Sequence, residues 1–273
     1  MQKYYTIIIV FFITCLFTNC NKPNNIDDDI SKITLKFEFY VDNAKLQQND
    51  ISLTTFRNAA GNLYQIEDIQ MIISKIKLIR SDQSEVIFNN DDFVHYIDFE
   101  DTTTLSWTLP KSYEEGVYKS IGFTFGLDEE MNTSGRFNNP PISDMFWPET
   151  LGGGYHYMKL NCKWNYVESL KELTPLNFHL GRYPIYAASF NDPIDFVDNY
   201  FAVNFPISFD VKEDEDKIFI VKVDINQWFA EPNVINFDDY VGVAIMQNQA
   251  IQTLAQQNGP SVFSAELEVK RNR

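Results

Sequence analysis

The sequence predicts an all-β protein, folded as an antiparallel β-sandwich with one or two short helices near the C-terminus. Many short segments alternate apolar and polar residues with the period of a half-buried strand. Turn signals separate these segments, and helical periodicity is confined to the C-terminal part of the chain. Hydrophobic residues make up 44% of the chain and aromatic residues 15%, which is typical of a globular protein with a packed core.

The predicted strands follow one another from residue 33 to residue 225. They are Ile33–Val41, Ile69–Arg80, Glu85–Phe88, Phe93–Phe99, Val117–Phe125, Tyr155–Leu160, Phe201–Val211 and Lys217–Ile225. Residues 81–84 predict a hairpin turn, and the charged run 213–216 predicts a solvated turn rather than a calcium loop. Such a series favours a sandwich, and we expect one of immunoglobulin or cupredoxin type.

Two short helices are predicted near the C-terminus. Met246, Ala250 and Leu254 have helical spacing within residues 247–257, and the Asn-Gly-Pro sequence at 258–260 predicts the end of that helix. Asp224 is a candidate N-cap for a second segment, residues 225–230. We find neither an internal repeat nor a second domain boundary, so residues 33–273 are expected to form a single domain.

The N-terminus resembles a bacterial lipoprotein signal. An apolar run of eleven residues, Ile7 to Phe17, is shorter than the roughly 20 residues that span a bilayer, and it ends just before Cys20. We expect cleavage of residues 1–19, lipidation of Cys20 and an acidic tether at residues 20–32, in an outer-membrane lipoprotein that faces the periplasm or the cell surface. An uncleaved N-terminal anchor is the alternative. The aspartates of the tether fit an export tag and a solvated linker equally well.

Charge and cysteine content exclude several classes of protein. The chain has 38 acidic and 22 basic residues, a formal net charge of −16, and such a surface repels nucleic acid. Three cysteines are too few for a disulfide scaffold or a cysteine-rich zinc module. Cys162 has no base beside it in sequence and is predicted to be a buried, inert thiol. No phosphate-binding loop, nucleophile elbow or zinc-protease motif occurs, so a non-enzymatic role is favoured.

The three histidines differ in their sequence surroundings. His95 lies in a run of alternating apolar residues and is predicted to be a packing residue. His156 and Met158 are two residues apart on a predicted strand, which would place them on one face about 6.6 Å apart. His179 precedes a glycine that permits a turn. Imidazole and thioether groups suit Cu(I), so His156, His179 and Met158 are the candidate metal ligands.

Several motifs resemble those of the MbnP-like copper-binding protein family, in its Bacteroidetes-type lipoprotein branch. The residues that carry the resemblance are Leu127-Asp128, Asn132, Met145-Phe146-Trp147, Gly154-Tyr155, Lys159-Leu160 and His179-Leu180-Gly181. Residues 70–79, 224–232 and 258–264 fit the family's early strand and its C-terminal pattern. The resemblance covers roughly residues 33–265, and its most specific part runs from residue 147 to residue 179.

The resemblance implies a periplasmic or surface β-rich domain that binds copper. Relatives in methane oxidisers use two histidines and a tryptophan oxidised to kynurenine, and some work beside a di-haem cytochrome c peroxidase-type protein. By this resemblance His179 and His156 are the imidazole ligands, and Trp147 is the tryptophan for oxidation. The chain departs from those relatives in three respects. Their Trp-x-His arrangement is absent, and the second tryptophan usual soon after Met-Phe-Trp is replaced around Pro148-Glu149. Asn161-Cys162 also stands where Glu-Gly is common.

We therefore expect a lipid-anchored, extracytoplasmic protein that handles or acquires Cu(I), with no reaction of its own and no nucleic-acid partner. One alternative is a surface adhesion or glycan-binding module without a metal site, for which an exposed aromatic pair such as Trp107 and Tyr113 would be the sign. A second alternative is a hydrolase that uses two carboxylates in a cleft. The sequence singles out no such pair.

Overall fold

The computed structural model describes residues 31–165, 173–186 and 193–271. The predicted signal peptide at residues 1–19, the predicted lipidation site Cys20 and residues 20–30 of the predicted tether lie outside the described residues. Within the described ranges, no helix is both long enough and apolar enough to cross a bilayer.

Strands dominate the described part of the chain. They are β1 (Ile33–Val41), β2 (Ala44–Lys45), β3 (Phe56–Arg57), β4 (Leu63–Arg80), β5 (Glu85–Phe88), β6 (Val94–Asp98), β7 (Ser106–Thr108), β8 (Gly116–Phe125), β9 (Met158–Trp164), β10 (Thr174–Leu180), β11 (Tyr183–Tyr186), β12 (Pro193–Val197), β13 (Phe201–Phe205), β14 (Phe209–Val211), β15 (Glu215–Asp224) and β16 (Phe263–Arg271).

One α-helix, α1 (Gln249–Val262), lies within the described residues and precedes β16. Short 3-10 helices occupy several of the connections. They are Gln48–Asp50, Asp91–Phe93, Thr102–Leu105, Ile142–Met145, Glu149–Leu151, Ile225–Phe229, Phe237–Tyr240 and Ile245–Gln247.

Two large sheets form the sandwich. The first has the strand order β16-β15-β1-β2, with β7 also paired to β1, and the second has the order β10-β9-β4-β8-β13. Strands β3, β5 and β6 also pair with β4, β14 pairs with β8, and β11 and β12 form a separate hairpin. Every strand pairing in the described residues is antiparallel except β1 with β15, whose long intervening chain permits a parallel pair.

The core lies between the inner faces of the two sheets. Phe37 of β1 packs edge-on against Phe123 of β8, with ring centroids 6.4 Å apart. Phe209 and Phe219 make a similar contact at 5.0 Å. Strand β15 shows the alternation that drives this packing, because every second side chain along it is buried. The predicted all-β sandwich with a C-terminal helix is confirmed.

Three predicted strands have clearly different bounds in the structure. The strand predicted at 69–80 already begins at Leu63, and the other two differ for identifiable reasons. The strand predicted at 155–160 begins only at Met158 and continues to Trp164, because residues 155–157 join a loop instead. The strand predicted at 201–211 is two strands, both paired with β8. Pro206, between them, has no N–H to donate to a ladder.

The two predicted helical segments are present with changed bounds: the segment predicted at 225–230 is the 3-10 helix Ile225–Phe229, and the helix predicted at 247–257 is α1 at Gln249–Val262. Asp224 caps Ile225–Phe229 as predicted, since its side chain accepts a hydrogen bond from the Asn226 N–H. The end predicted for the last helix at 258–260 is wrong, because α1 continues to Val262. Asn258 is fully buried and its Nδ2 donates to the carbonyls of Trp228 and Asn233. These tertiary contacts outweigh the local helix-breaking signal.

Candidate metal centre

A small antiparallel bridge between residues 145–147 and 154–156 places Trp147 beside His156. The Trp147 N–H donates to the Gly154 carbonyl at 2.9 Å, and the His156 N–H donates to the Met145 carbonyl at 2.6 Å. Phe146 and Tyr155 form the bridge pair between these two bonds. The Met-Phe-Trp segment is therefore one side of a miniature hairpin, and His156 lies on the other side.

Asn132 fixes the chain just before and after His156. Its Oδ1 accepts from the Tyr155 N–H at 2.8 Å, and its Nδ2 donates to the Tyr157 hydroxyl at 3.0 Å. Gly154 passes so close to this side chain that a Cβ there would lie 2.3 Å from Asn132 Oδ1, and its φ is +84°. A glycine is required at that position for both reasons.

His179 lies on β10, opposite Lys159 of β9. Gln252 of α1 holds this end of the strand, because its Nε2 donates to the His179 carbonyl at 2.8 Å and its Oε1 accepts from the Gly181 N–H at 3.3 Å. Gln252 is fully buried. A side chain from the C-terminal helix thus positions the backbone of His179.

Trp147 lies against Gly181 and is completely buried. A Cβ built on Gly181 would lie 2.7 Å from two atoms of the six-membered ring of the indole, so only a glycine leaves room for Trp147 there. The indole N–H donates to the Leu151 carbonyl at 3.1 Å. The glycine of the His-Leu-Gly motif and the tryptophan of the Met-Phe-Trp motif are therefore complementary parts of one contact.

Trp147, His156 and His179 form one aromatic cluster. The ring centroids of Trp147 and His156 are 4.7 Å apart, and those of His156 and His179 are 5.1 Å apart, both with edge-to-face geometry. His156 is 6% exposed. The structure therefore brings together the two predicted imidazole ligands and the predicted tryptophan.

Hydrogen bonds define which nitrogen of each imidazole carries the proton. His156 Nδ1 lies 3.0 Å from the Met145 carbonyl, which can only accept, so Nδ1 is protonated and the lone pair is on Nε2. His179 Nε2 lies 2.8 Å from Asn161 Oδ1, so Nε2 is protonated and the lone pair is on Nδ1. His179 Nδ1 is buried and has no hydrogen-bond partner among the described residues. A buried lone pair without a partner is costly unless something binds it.

Burial keeps both imidazoles neutral. It lowers the pKa of His156 to about 4, an effect that the hydrogen bond to the Met145 carbonyl partly offsets. Burial, with a smaller contribution from His156, lowers the pKa of His179 to about 3. Neutral imidazole is the form that binds a metal ion.

Met158 is not brought to the two imidazoles. His179 pairs across the ladder with Lys159, whereas Met158 pairs with Leu180 of β10 and Met71 of β4, both buried in the core. Successive side chains of a strand point to opposite faces, so Met158 lies on the inner face and His179 on the outer face of this sheet. The predicted strand geometry that placed His156 and Met158 together is wrong, because a bend at Tyr157 separates them.

A sequence model of the MbnP family matches residues 30–248. The matched span contains Trp147, His156 and His179 together with the glycine and asparagine that position them. The chain belongs to the MbnP family. MbnP from Methylosinus trichosporium, a solved structure, is 12% identical to this chain, with a TM-score of 0.49. That alignment covers 87% of this chain and 99% of the other. Among curated proteins, none shows significant similarity to the chain.

Other residues singled out in the sequence lie outside this cluster of the MbnP-family domain. His95 packs face to face on Trp107 with centroids 4.8 Å apart, and its Nε2 is hydrogen-bonded to the Thr104 carbonyl at 2.7 Å. Cys162 is fully buried, and burial raises the pKa of its thiol. Both residues have the packing roles that their sequence surroundings predict.

The tryptophans and Tyr113 of this MbnP-family chain, all of which the structure describes, do not form the exposed pair that a glycan-binding surface needs. Trp147, Trp164 and Trp228 are buried, and so is Tyr113. Trp107 is half-buried beneath its stack with His95. The burial of these rings counts against the adhesion alternative.

Sequence reasoning missed three residues that support the cluster: Gln252, Asn161 and Asp68. Gln252 lies beyond the part of the chain that matches the family, in a helix whose docking site is not readable from periodicity. Asn161 and Asp68 face each other across β9 and β4, and their strands are far apart in the sequence. A prediction of the strand register would have been needed to find them.

Proposed function

We propose that this MbnP-family protein binds Cu(I) through Nε2 of His156 and Nδ1 of His179, and that it handles or acquires copper without catalysing a reaction. The observation that carries the proposal is a pair of neutral imidazoles whose ring centroids are 5.1 Å apart. The nitrogens that are not proposed as ligands, His156 Nδ1 and His179 Nε2, are already engaged in hydrogen bonds. In a metal site, an imidazole nitrogen lies roughly 2 Å from the ion. Two rings whose centroids are 5.1 Å apart are therefore close enough to bind one ion between them. The orphaned Nδ1 of His179 fits the same role.

The ligand set favours Cu(I) over ions that need more donors. Within the described residues, no group of three His, Cys, Asp or Glu side chains is placed to hold a metal ion. Zinc uses four protein ligands in structural sites and three in catalytic ones. Lys159 already places a positive charge near both imidazoles, where it helps to lower their pKa values. Two imidazoles in this mostly buried site therefore suit a monovalent ion that accepts few ligands, because a second positive charge is costly to bury.

Trp147 is the residue that we propose for oxidation, because its indole lies edge-to-face against His156. Cleavage of the indole C2–C3 bond by two equivalents of hydrogen peroxide, followed by hydrolysis that releases C2 as formate, would yield kynurenine and place a carbonyl and an amine near the metal. A di-haem cytochrome c peroxidase-type protein, which would use the peroxide, is the proposed partner for that step. Mass spectrometry of tryptic peptides from the native host would show whether residue 147 carries the mass of kynurenine, and only unmodified tryptophan there would contradict this part.

Lipidation at Cys20 after removal of residues 1–19 would attach the domain to the outer membrane through the acidic tether. The sequence supports this placement, since the apolar core of the signal ends next to Cys20. Each buried methylene of an acyl chain contributes about 0.8 kcal/mol to membrane binding. Radiolabelled palmitate should enter the wild-type chain in the native host and be absent from Cys20→Ala.

Cu(I) titration of the full chain in detergent, against a competing chelator, tests the proposed metal site. We expect one bound ion for the wild type and loss of tight binding for the double variant His156→Ala, His179→Ala. His95→Ala is the matched control, because it removes a buried imidazole beside a tryptophan elsewhere in the domain. Equal Cu(I) affinity in the wild type and the double variant would contradict the proposal.

A further inference from the structure

Three adjacent strands place Asp68, Asn161 and His179 in a row on the outer face of the second sheet. Asp68 of β4 pairs with Asn161 of β9, and Asn161 is diagonal to His179 of β10, which pairs with Lys159. Cross-strand partners share a face, so the three side chains project to the same side. The row ends at the imidazole that carries the orphaned nitrogen.

Hydrogen bonds connect the three side chains, with His179 donating to Asn161 and Asn161 donating to Asp68. Asn161 Nδ2 donates to Asp68 Oδ2 over 3.4 Å, and Asn161 Oδ1 accepts from His179 Nε2 at 2.8 Å. A carboxylate can only accept, so Asp68 requires the NH₂ end of the Asn161 amide. The amide oxygen must then face His179, and an oxygen there requires a proton on Nε2. Asp68 thereby determines, through Asn161, which nitrogen of His179 has the lone pair.

We propose that Asn161, oriented by Asp68, is a positioning residue that holds His179 in the Nε2–H tautomer and presents Nδ1 to the metal ion. The inference rests on the proposed function for its consequence, but the tautomer is a property of the metal-free protein. Metal-bound histidines commonly donate their other ring N–H to a fixed acceptor, and loss of that acceptor typically lowers metal affinity 10–100-fold. The Met145 carbonyl does the same for His156.

The two acceptors differ in how easily a substitution removes them. The acceptor for His156 is a backbone carbonyl, which every residue at position 145 supplies. The acceptor for His179 is a side chain and disappears with a single substitution at position 161. Asn161 is therefore the place at which the tautomer of one ligand can be changed without changing the ligand.

Long-range proton–nitrogen NMR of the full chain, labelled with ¹⁵N-histidine and kept metal-free at neutral pH, reads the tautomer directly. The chain has three histidines, so single His→Ala variants assign every signal. In the wild type we expect His179 to be protonated at Nε2. In Asn161→Leu, which removes the acceptor, we expect a mixture of tautomers or protonation at Nδ1.

Cu(I) titration of the same variants measures the consequence. Asn161→Leu should weaken binding roughly 10–100-fold. Asn161→Asp keeps an acceptor oxygen for His179, and the two neighbouring carboxyl groups at 68 and 161 would share one proton in place of the lost amide donor. This variant should retain both the tautomer and most of the affinity, which a merely structural role would not require. Asn177→Leu is the matched control, because Asn177 is the exposed cross-strand partner of Asn161.

The outcomes separate this inference from the proposed function. Protonation of His179 at Nδ1 in the wild type would overturn it, as would an Asn161→Leu variant that keeps both the tautomer and the affinity. A wild type with the expected tautomer that binds no Cu(I) would contradict the proposed function and still support the positioning role. If Asn161→Leu does not fold, loss of the Nε2–H tautomer in Asp68→Leu supports the inference and its full retention there overturns it.

Discussion

Two histidine–tryptophan clusters in this domain look alike in composition and differ in what their nitrogens can do. In the first, His95 stacks on Trp107 at an interplanar angle of 3°, and in the second, His156 meets Trp147 edge-on at 72°. Burial lowers the pKa of both imidazoles to about 4. Neither burial nor an aromatic neighbour therefore distinguishes a packing histidine from a ligand.

The difference lies in the second imidazole and its unsatisfied nitrogen. His95 has no imidazole beside it among the described residues, and a backbone carbonyl engages its Nε2. His156 faces His179, whose Nδ1 is buried and has no hydrogen-bond partner in the part of the chain that the structure describes. A buried polar atom without a hydrogen-bond partner needs an explanation, and a bound metal ion would supply one at His179. Variants of the two clusters test whether the first serves packing and the second binds a metal ion.

The largest effect on stability should come from truncating Trp147, and Trp107 is its counterpart in the first cluster. Trp147→Ala removes a fully buried indole and should lower the free energy of unfolding by about 3–5 kcal/mol. Trp107 is half-buried, so Trp107→Ala should cost roughly 1–2 kcal/mol. Urea unfolding measures both, and Cu(I) titration should show weakened binding for Trp147→Ala alone. Similar losses in both assays would remove the distinction between the clusters.

The pH dependence of stability should include a contribution from the first cluster, which a variant at His95 separates from the contributions of His156 and His179. The pKa of His95 falls from 6.5 to about 4 on folding, so the unfolded chain binds more protons between these values. The contribution of neutral His95 to the free energy of unfolding is therefore complete above pH 6.5 and is lost as the pH falls towards 4. Each unit of pKa difference corresponds to about 1.4 kcal/mol. The free energy of unfolding should therefore fall by roughly 2–3 kcal/mol through His95 by about pH 4.5.

The comparison of wild type with His95→Phe isolates this contribution. Urea unfolding at pH 7.5 and pH 4.5 should show the variant gaining stability relative to the wild type as the pH falls, because phenylalanine cannot take up a proton. Cu(I) affinity at neutral pH should be unchanged in the same variant. A wild-type-like pH dependence in His95→Phe would show that His95 is not the buried neutral imidazole described above.

Gly181→Ala tests the tight contact that only the second cluster has. The new methyl group would meet the ring of Trp147 at about 2.7 Å, and overpacking of this kind costs about 1–3 kcal/mol. Because Trp147 contacts His156, Cu(I) affinity should fall as well. Gly259→Ala is the matched control: its methyl group would meet the ring of Phe201, outside the cluster, so it should leave affinity intact. Equal affinity in the two variants would separate Trp147 from the metal site.

The sequence alone was sufficient for the architecture and for the members of the cluster, because both depend on local patterns. The alternation of β1 predicted its bounds correctly, and the Met-Phe-Trp and His-Leu-Gly motifs contained residues that meet in space. Of the seven described strands that were not predicted, β10 and β16 are the longest. The first is interrupted early by Pro175, and β16 is an edge strand whose outer half is exposed, so neither shows a strong hydrophobic alternation.

The supporting residues could not be predicted, because they depend on contacts between distant segments. Asp68 reaches Asn161 only through the register of β4 against β9, which includes a bulge between residues 66 and 68. Gln252 reaches His179 only because α1 docks on the end of β10. The prediction that Met158 lies beside His156 was wrong for a related reason. The chain bends at Tyr157, one residue before Met158, and the alternation of apolar and polar residues does not indicate this bend. The bend determines which face of the sheet the Met158 side chain lies on.

Met158→Leu should have the smallest effect, and it examines the third ligand that the sequence favoured. Leucine is similar in volume to methionine and should cost less than about 1.5 kcal/mol in a core position. Cu(I) affinity should be unchanged, because the strand directs residue 158 towards Met71 and Leu180 and away from the imidazoles. Met71→Leu, its cross-strand neighbour, is the control for a core methionine. If Met158→Leu alone weakened copper binding, the loop at 155–157 would have to rearrange when the ion binds, and the pair of imidazoles would not be the complete site.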